Sequence, residues 1–289
     1  MIGPFAIDTF FPAFPAIAEQ FAASPVAMQQ TLSLYLIAYG LMALAHGALS
    51  DALGRRPVII VSLSVFTLAS VGCALAQSMD QLLALRFLQG LSAGAGVIVG
   101  RAIVRDCFDG ARAQRVMSTT SMLFGIAPAL APVIGGWLLY FGWRASFWFL
   151  AVFSLTLVIA SVRTLPETLP LARRIPIAPL ELARGYLAML RDSRFVLLSF
   201  AAGFNFSAIF LYISSAPAFV LDILGLGELE FAHFFVPTIG GMMIGAWLSG
   251  RFADRVAARR AVTIAYALMA VAAVLNIAYS LAAGVQWPW

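Results

Sequence analysis

The stretch GALSDALGRRPVII, residues 47–60, joins two long apolar segments through a short turn that carries three charges. Charge is scarce elsewhere, since 11% of the 289 residues are charged and 62% are hydrophobic. The same spacing of glycine, aspartate and arginine returns 203 residues later, so that Gly47, Asp51 and Arg56 are matched by Gly250, Asp254 and Arg259. A charged turn that recurs between apolar segments predicts a duplicated structural unit.

The composition indicates that the chain is solvated by a lipid bilayer. Its 13 acidic and 18 basic residues cannot cover the surface of a soluble protein of this length. The apolar runs between charges are about 20 residues long, enough to cross roughly 30 Å of hydrocarbon as helices. We therefore predict an all-α polytopic membrane protein.

Nine membrane segments are predicted along the chain, near residues 2–20, 28–49, 57–77, 81–104, 115–140, 145–163, 194–221, 230–250 and 260–283. The long proline-rich connection between the sixth and seventh segments divides the chain into two halves. We expect an N-terminal six-helix bundle over residues 1–164 with a shortened first helix. A central loop over 165–193 and the first three helices of a C-terminal bundle over 194–289 follow.

The distribution of arginine predicts the orientation in the membrane. Of the 18 basic residues, 16 lie in the connections around 51–56, 101–115, 163–194 and 251–260, all on one face. By the positive-inside rule these arginine-rich loops are cytoplasmic.

Three motifs resemble those of the major facilitator superfamily. Residues 47–57, GALSDALGRRP, look like its signature between helices two and three. Residues 86–90, RFLQG, resemble its helix-four motif, and residues 127–136, APALAPVIGG, resemble the antiporter motif of helix five. Within the superfamily, residues 8–15, 101–106 and 165–169 look like the Bcr/CflA group of multidrug efflux transporters.

This resemblance implies a secondary active transporter that exports small lipophilic molecules or drugs across the bacterial inner membrane in exchange for protons. About nine of its twelve helices are recognisable, so a non-transporting truncated fragment is one alternative. A specific metabolite permease of the same superfamily is another. The resemblance implies no cofactor, with the proton gradient as energy source, and a monomer whose partners are substrate, protons and lipid.

Two charged residues lie within the predicted apolar segments, Asp8 in the first and Arg86 in the fourth. Intramembrane charges face the interior of a bundle or water, and find partners there. A carboxyl group in such surroundings is costly to ionise, so it can exchange protons near neutral pH. The resemblance implies that Asp8 is a proton or cationic-drug site and that Arg86 couples protonation to conformational change. The structural alternatives are a solvent-facing Asp8 and an Arg86 that only joins helices.

The charged turn is interpreted as a cytoplasmic gate. We expect Gly47 to allow close helix approach and Asp51 to pair with arginines of neighbouring loops or with a helix N-terminus. The proposed gate residues are Gly47, Asp51, Gly54, Arg55, Arg56, Arg101, Arg105, Gly250, Asp254 and Arg259, and Arg112 is a further candidate partner of Asp51. A solvated turn that only satisfies the positive-inside rule is the alternative.

The fifth segment carries proline and small residues that favour bending and close packing during alternating access, namely Ala131, Pro132, Gly135 and Gly136. A minority of the phenylalanines, such as Phe10, Phe11, Phe204 and Phe206, are candidates to line an apolar substrate cavity.

The sequence also indicates what the protein does not do. With no lysine, a Walker P-loop and a Schiff-base site are excluded, and the arginines follow membrane topology rather than a nucleic-acid surface. Residues 90–94 match the nucleophile-elbow pattern but lie in an apolar helix, and His46 and His233 are assigned to the ends of other segments. Cys73 and Cys107 are too few for a metal site. We therefore expect no enzyme, metal or nucleic-acid function.

Overall fold

The computed structural model describes residues 2–223, 225, 237–238, 240–241, 243–245, 248, 256 and 258–283. Its α-helices are α1 (Ile2–Asp8), α2 (Phe14–Phe21), α3 (Pro25–Leu53), α4 (Arg55–Leu75), α5 (Met79–Ala93), α6 (Ala95–Cys107), α7 (Gly110–Leu139), α8 (Arg144–Thr164), α9 (Pro179–Arg191), α10 (Ser193–Pro217) and α11 (Ala258–Ala283). Two short 3₁₀ turns, Phe11–Ala13 and Leu171–Arg173, and a π-helical turn, Ala218–Ile223, complete the described elements.

The predicted all-α membrane fold is confirmed. Among the described residues, five stretches are long and apolar enough to cross a membrane: Pro25–Leu53, Arg55–Leu75, Met79–Cys107, Arg144–Thr164 and Arg260–Ala282. Most of the predicted eighth segment lies outside the described residues, as do Gly250 and Asp254. Arg259 belongs to α11, but its side chain is likewise outside the description.

Local sequence signals account for the helix boundaries on the N-terminal side of the chain. The Ser24 hydroxyl accepts from the backbone N–H of Ala27 at 3.2 Å and caps α3, with Pro25 in the first turn, where its missing N–H costs nothing. Ser78 caps α5 in the same way through the N–H of Gln81. Helices α3 and α4 are separated by Gly54 alone, so the charged turn is shorter than the sequence indicated.

Two of the predicted segments are interrupted rather than continuous. The first one breaks at Thr9 and Phe10 into α1, a 3₁₀ turn and α2, because Pro12 and Pro15 cannot donate backbone hydrogen bonds. The fourth breaks at Gly94 into α5 and α6. Irregular backbone at membrane depth is tolerated where protein surrounds it.

The core lies between the helices of the N-terminal half. Helix α4 packs mainly on α8 and α5, α3 packs on α5, and α1 packs on α7. Phe10, Phe66, Phe147 and Leu150 are fully buried there. By contrast the described side chains of α11 are exposed, as expected for apolar helix surface bathed in lipid.

Small residues allow the closest helix contacts. A Cβ added at Gly90 of α5 would lie 2.2 Å from the backbone oxygen of Tyr35 on α3. A Cβ at Gly135 of α7 would lie 2.4 Å from the backbone oxygen of Thr9. Both distances are far inside van der Waals contact, so any side chain at these positions would push the helices apart.

Candidate functional site

Arg86 is the largest fully buried side chain of the described residues and binds two neighbouring helices. Its Nη1 donates to the Ala6 carbonyl of α1 at 3.0 Å, and its Nε donates to the Thr31 carbonyl of α3 at 3.3 Å. The guanidinium also lies over the rings of Phe10, at 4.9 Å, and Tyr35, at 4.5 Å. Carbonyl dipoles and aromatic faces therefore replace the water shell of this buried cation.

A second layer of polar side chains fixes Arg86 from α4 and its own helix. The Nη1 of Arg86 also donates to Gln89 Oε1 at 2.9 Å, and Gln89 Nε2 donates to the Ser70 hydroxyl at 2.7 Å. Ser70 in turn donates to the carbonyl of Phe66 at 2.7 Å. Every link has a defined donor and acceptor, so the orientation of the Gln89 amide follows from the network.

Asp8 ends α1 at the break in the first segment, two residues after the carbonyl that Arg86 contacts. Its side chain is 2% exposed, and its Oδ1 has no hydrogen-bond partner among the described residues. The hydroxyl of Tyr35 and the Nη2 of Arg86 are buried without a partner in the same sense. The site thus combines an acceptor and two donor groups that are poorly satisfied, and Asp8 forms no ion pair within the described structure.

A cavity of about 590 Å³ lies beside this site, between the two halves of the chain. Its lining comes from the first segment, α3 and α10, and consists of Ile7, Phe11, Gln29, Leu32, Ser33, Leu36, Phe204, Ser207, Ala208 and Leu211. Phe11 and Phe204 therefore line a cavity, as the sequence suggested. Phe10 is packed against Arg86 and Phe206 is largely exposed.

The charged turn is built around Arg55, the first residue of α4. Its Nη1 pairs with Asp51 and donates to the Ser50 hydroxyl at 2.7 Å, and its Nε donates to Asp106 Oδ2 on α6 at 3.0 Å. Only 7% of Arg55 is exposed. We call Ser50, Asp51, Arg55 and Asp106 the Arg55 cluster; it joins the ends of α3, α4 and α6.

The segment after α8, residues 165–175, folds back over this turn and is called the strap. Its Glu167 accepts from the N–H of Arg55 at 3.0 Å, from that of Arg56 at 3.3 Å and from that of Leu169 at 2.9 Å. A carboxylate therefore caps the N-terminus of α4 from 112 residues away. The Ile175 N–H donates to the Asp51 carbonyl at 3.1 Å and holds the far end of the strap.

Glycine is required at residue 54 by both conformation and space. Its φ of +104° is rarely adopted by other residues. A Cβ there would lie 2.5 Å from Glu167 Oε2 and 2.6 Å from the nearest nitrogen of Arg174. The strap can reach the end of α4 only because this position has no side chain.

The environment of Glu167 favours its ionised form. Partial burial opposes ionisation, but the N–H groups of Leu169, Arg55 and Arg56 and the charge of Arg174 outweigh it. The pKa of Glu167 therefore lies below its ordinary value. The Arg174 guanidinium lies 3.7 Å from Glu167 Oε2.

The structure changes the expected roles of several gate residues. The partner of Asp51 is Arg55 of the next turn, whereas Arg101 and Arg105 are exposed, and Arg105 Nε contacts the Arg101 carbonyl at 3.4 Å. The close helix contact expected at Gly47 is not seen, since a Cβ there meets no described atom within 4 Å. Its carbonyl instead accepts from the Ser50 hydroxyl.

The remaining predicted residues lie on the other side of the turn and on α7. Arg56 Nη2 donates to the carbonyl of Val162, at the end of α8, at 2.7 Å. On α7, Ala131, Pro132, Gly135 and Gly136 are all buried, and Gly135 meets the backbone of Thr9.

Several residues of the site were not predicted from the sequence, among them Glu167 and Gln89. In the sequence, Glu167 falls within a family motif and Gln89 is a near neighbour of Arg86. For Gln89, its position three residues after a membrane-embedded arginine was a usable signal, because such spacing brings side chains together on a helix. Nothing local in the sequence points from Glu167 to the start of α4.

Apolar spanning helices around a buried, hydrogen-bonded arginine, closed at one end by a charged turn, define a multi-pass membrane transporter. The chain belongs to the Major Facilitator Superfamily, whose family model matches residues 1–289.

Curated relatives agree with this family. The chain is 34% identical over 284 residues to the uncharacterized MFS-type transporter YdgK of Bacillus subtilis, covering 96% of this chain and 70% of the relative. It is 30% identical over 269 residues to a bicyclomycin resistance protein homolog of Haemophilus influenzae, covering 93% and 68%. Identity to the multidrug resistance protein MdtL of Escherichia coli is 32% over 281 residues, covering 97% and 71%.

Solved structures share the fold. The human organic anion transporter MFSD10 matches with a TM-score of 0.65 at 21% identity, covering 88% of this chain and 70% of that one. A bacterial homolog of the lysosomal transporter Spinster, in an inward-facing and unoccupied conformation, matches with a TM-score of 0.67 at 21% identity, covering 88% and 61%.

Proposed function

We propose that this protein exports small lipophilic molecules across the bacterial inner membrane in exchange for protons. The observation that carries the proposal is the buried Asp8 carboxyl group, one oxygen of which has no partner among the described residues; the preceding residue, Ile7, lines a largely apolar cavity. A buried carboxyl group that can gain and lose a proton is the element that proton coupling requires.

Arg86 gives the ionised carboxylate a potential partner. In the protonated state Asp8 is neutral and tolerates its burial. After proton loss, an approach of Asp8 to the free Nη2 of Arg86 would compensate the new charge. Because Arg86 also holds the carbonyls of Ala6 and Thr31, such a movement would shift α1 against α3. Protonation is in this way linked to the packing of the cavity wall.

The cavity favours apolar ligands with few polar groups. Its side chains are mainly aliphatic and aromatic, and Gln29, Ser33 and Ser207 are the polar ones. A cavity of this size and composition suits drug-sized lipophilic molecules. The relatives named for bicyclomycin and multidrug resistance support the same substrate class.

The Arg55 cluster and the strap are proposed to act as the cytoplasmic gate. Three of the arginine-rich loops, which the positive-inside rule assigns to the cytoplasm, contact one another at this end: those around 51–56, 101–115 and 163–194. The strap continues through α9 into α10, so its attachment to α4 limits how far the C-terminal half moves at this end. Release of the strap would then accompany inward opening.

The test is transport by the purified chain in liposomes that contain a pH-sensitive dye, with a fluorescent lipophilic cation as the probe. We expect probe movement in one direction to drive proton movement in the other, and a protonophore to abolish accumulation. Asp8→Asn should remove the coupled proton movement, because the amide cannot exchange a proton.

The matched control is Asp80→Asn, which changes an exposed carboxylate in the first turn of α5 and should transport like the parent protein. Proton-coupled transport by Asp8→Asn at the parental rate would exclude Asp8 as the proton site. A rate of probe transport that is independent of the proton gradient would exclude proton exchange as the mechanism.

A further inference from the structure

His46 is a buried titratable residue that the proposed transport cycle does not use. It lies on α3 and is 1% exposed. Neither ring nitrogen has a hydrogen-bond partner of good geometry among the described residues, and the Met42 carbonyl one turn earlier is the acceptor that approaches the ring. A buried imidazole in this condition has nothing to balance a positive charge.

His46 and Tyr39 both lie beside Gly94. A Cβ added at Gly94, the break between α5 and α6, would lie 3.4 Å from His46 Nδ1 and 3.6 Å from the ring of Tyr39. The sequence assigns His46 to a different segment from residues 90–94, whereas in the structure it lies beside Gly94. One turn beyond His46 along α3 is Ser50, whose hydroxyl accepts from Arg55.

The charged residues near this part of α3 are Arg55, Arg101 and Asp51. Arg55 reaches Ser50, about 6 Å further along the axis of α3. From α6, Arg101 lies close enough for its charge to act on Tyr39. The carboxylate on the same helix, Asp51, is already paired with Arg55. None of these groups forms an ion pair or a hydrogen bond with His46 in the described structure, so an imidazolium here would be buried without a counter-ion.

We propose that His46 is a proton-binding site that stays neutral while the arginine-rich end is closed and takes up a proton when that end opens. Closing the gate then releases one proton into the compartment on the arginine-rich side. This site is separate from Asp8, which ends α1.

The sign of the pH effect follows from linkage. An exposed imidazole changes its charge between about pH 5 and 8. The open state therefore binds one more proton than the closed state at low pH. The ratio of closed to open protein should fall as pH decreases, approaching tenfold per pH unit below about pH 6, and should level off above about pH 7.5.

The inference rests on the proposed function in one respect, since it requires that the arginine-rich end opens and closes. Its test therefore measures opening directly. Spin labels on the native, exposed Cys107 and on Val262→Cys report the separation of α6 and α11, and the buried Cys73 is protected from labelling. Distance distributions are recorded in lipid nanodiscs between pH 5.5 and 7.5, and the lowered pKa of Glu167 keeps its carboxylate ionised across this range.

We expect the short-distance population to fall with decreasing pH in the parent protein and to be constant across this range in His46→Gln. The matched control is His233→Gln, which changes the other histidine of the chain and should keep the parental pH dependence. A pH-dependent equilibrium in His46→Gln overturns the proposal, as does a pH-independent equilibrium in the parent. A single distance at every pH, with and without the fluorescent lipophilic cation, would instead overturn the gate itself and the proposal with it.

A second measurement needs no substitution and covers the case in which His46→Gln fails to fold. Hydrogen–deuterium exchange at the imidazole C2 position, read by mass spectrometry, depends on access and protonation. Relative to an unfolded peptide at the same pH, exchange at His46 should be strongly slowed when the closed population dominates, and this protection should decrease when pH is lowered to 6. Exchange at His46 as fast as in an unfolded peptide at every pH would contradict its burial and overturn the proposal.

Discussion

Arg86 shows how a permanent charge is accommodated within this bundle. Its Nε and Nη1 donate to backbone carbonyls and to the Gln89 amide oxygen, two aromatic rings lie against the guanidinium, and the amide is itself oriented by Ser70. Each neutral group stabilises the buried charge only modestly, but together these groups fix the orientation of the guanidinium. Ser70 is therefore a positioning residue that acts on Arg86 through Gln89.

Replacing Ser70 with alanine should weaken proton coupling without removing Arg86. The Gln89 amide loses its acceptor and can turn its NH₂ group toward the guanidinium, a like-polarity contact. The loss of one buried hydrogen bond, about 1 kcal/mol, corresponds to roughly a fivefold lower rate of proton-coupled transport. Initial rates at several external pH values measure this effect, and the pH profile should shift in Ser70→Ala.

The control for this prediction is Ser92→Ala on α5. Ser92 is also buried, but its hydroxyl donates only to backbone carbonyls of its own helix, those of Leu88 and Gln89. It should leave the pH profile unchanged. An unchanged profile in both variants would mean that Ser70 only fills space.

At the level of elements, the strap is the least obvious connection in the molecule. It is held at one end by the contact of Glu167 with the start of α4 and at the other by the Ile175–Asp51 backbone bond. The strap residues and their partners at the ends of α3 and α4 are far apart in the sequence, with 112 positions between Glu167 and Arg55. The absence of a side chain at Gly54 makes this docking possible.

Glu167→Gln should weaken the attachment of the strap to the start of α4. It should also remove part of the pH dependence of that attachment. The lowered pKa of Glu167 means that the closed strap is stabilised by ionisation above about pH 4.5 and that this stabilisation is lost as pH falls through the lowered value. The amide of the variant retains one acceptor but no charge, so we expect the free energy of strap attachment to weaken by about 1–2 kcal/mol. Limited proteolysis of the strap between pH 3.5 and 7 measures it, with faster cleavage at neutral pH in the variant.

Glu181→Gln is the matched control because Glu181 lies in the first turn of α9, a described helix without buried residues. Its cleavage should follow the parent protein. Equal protection of the strap in parent and Glu167→Gln at neutral pH would show that the carboxylate does not hold it.

Across the whole molecule, the sequence predicted the features that depend on composition and local pattern. Hydrophobic runs gave the spanning helices, and the embedded charges Asp8 and Arg86 proved to be buried. Long-range partners escaped prediction, because Arg55 could have met any arginine-rich loop or carboxylate on the same face. The breaks at Thr9 and Gly94 were also missed, since hydropathy averages over such short interruptions.

The orientation of the whole chain can be tested with its own cysteine. Cys107 ends α6 at the arginine-rich face and is exposed. If this face is cytoplasmic, a membrane-impermeant maleimide should label Cys107 in inverted membrane vesicles and spare it in intact spheroplasts. The buried Cys73 should react in neither preparation before denaturation.

The opposite pattern is expected for Phe141→Cys in a Cys107→Ser background. Phe141 is 84% exposed and follows α7 at the other end of the bundle. Labelling of Cys107 from outside intact spheroplasts would show that the orientation is the reverse of the one assigned.

The strap also has a consequence for the order in which the protein is made. Every group that secures the charged turn, from Ser50 to Ile175, precedes α10 in the chain. During synthesis the N-terminal half can therefore seal its arginine-rich end while the ribosome is still translating the second half. Domains that fold as units in this way leave fewer polar groups exposed to lipid during biogenesis. The first half then serves as a finished surface on which the second half assembles.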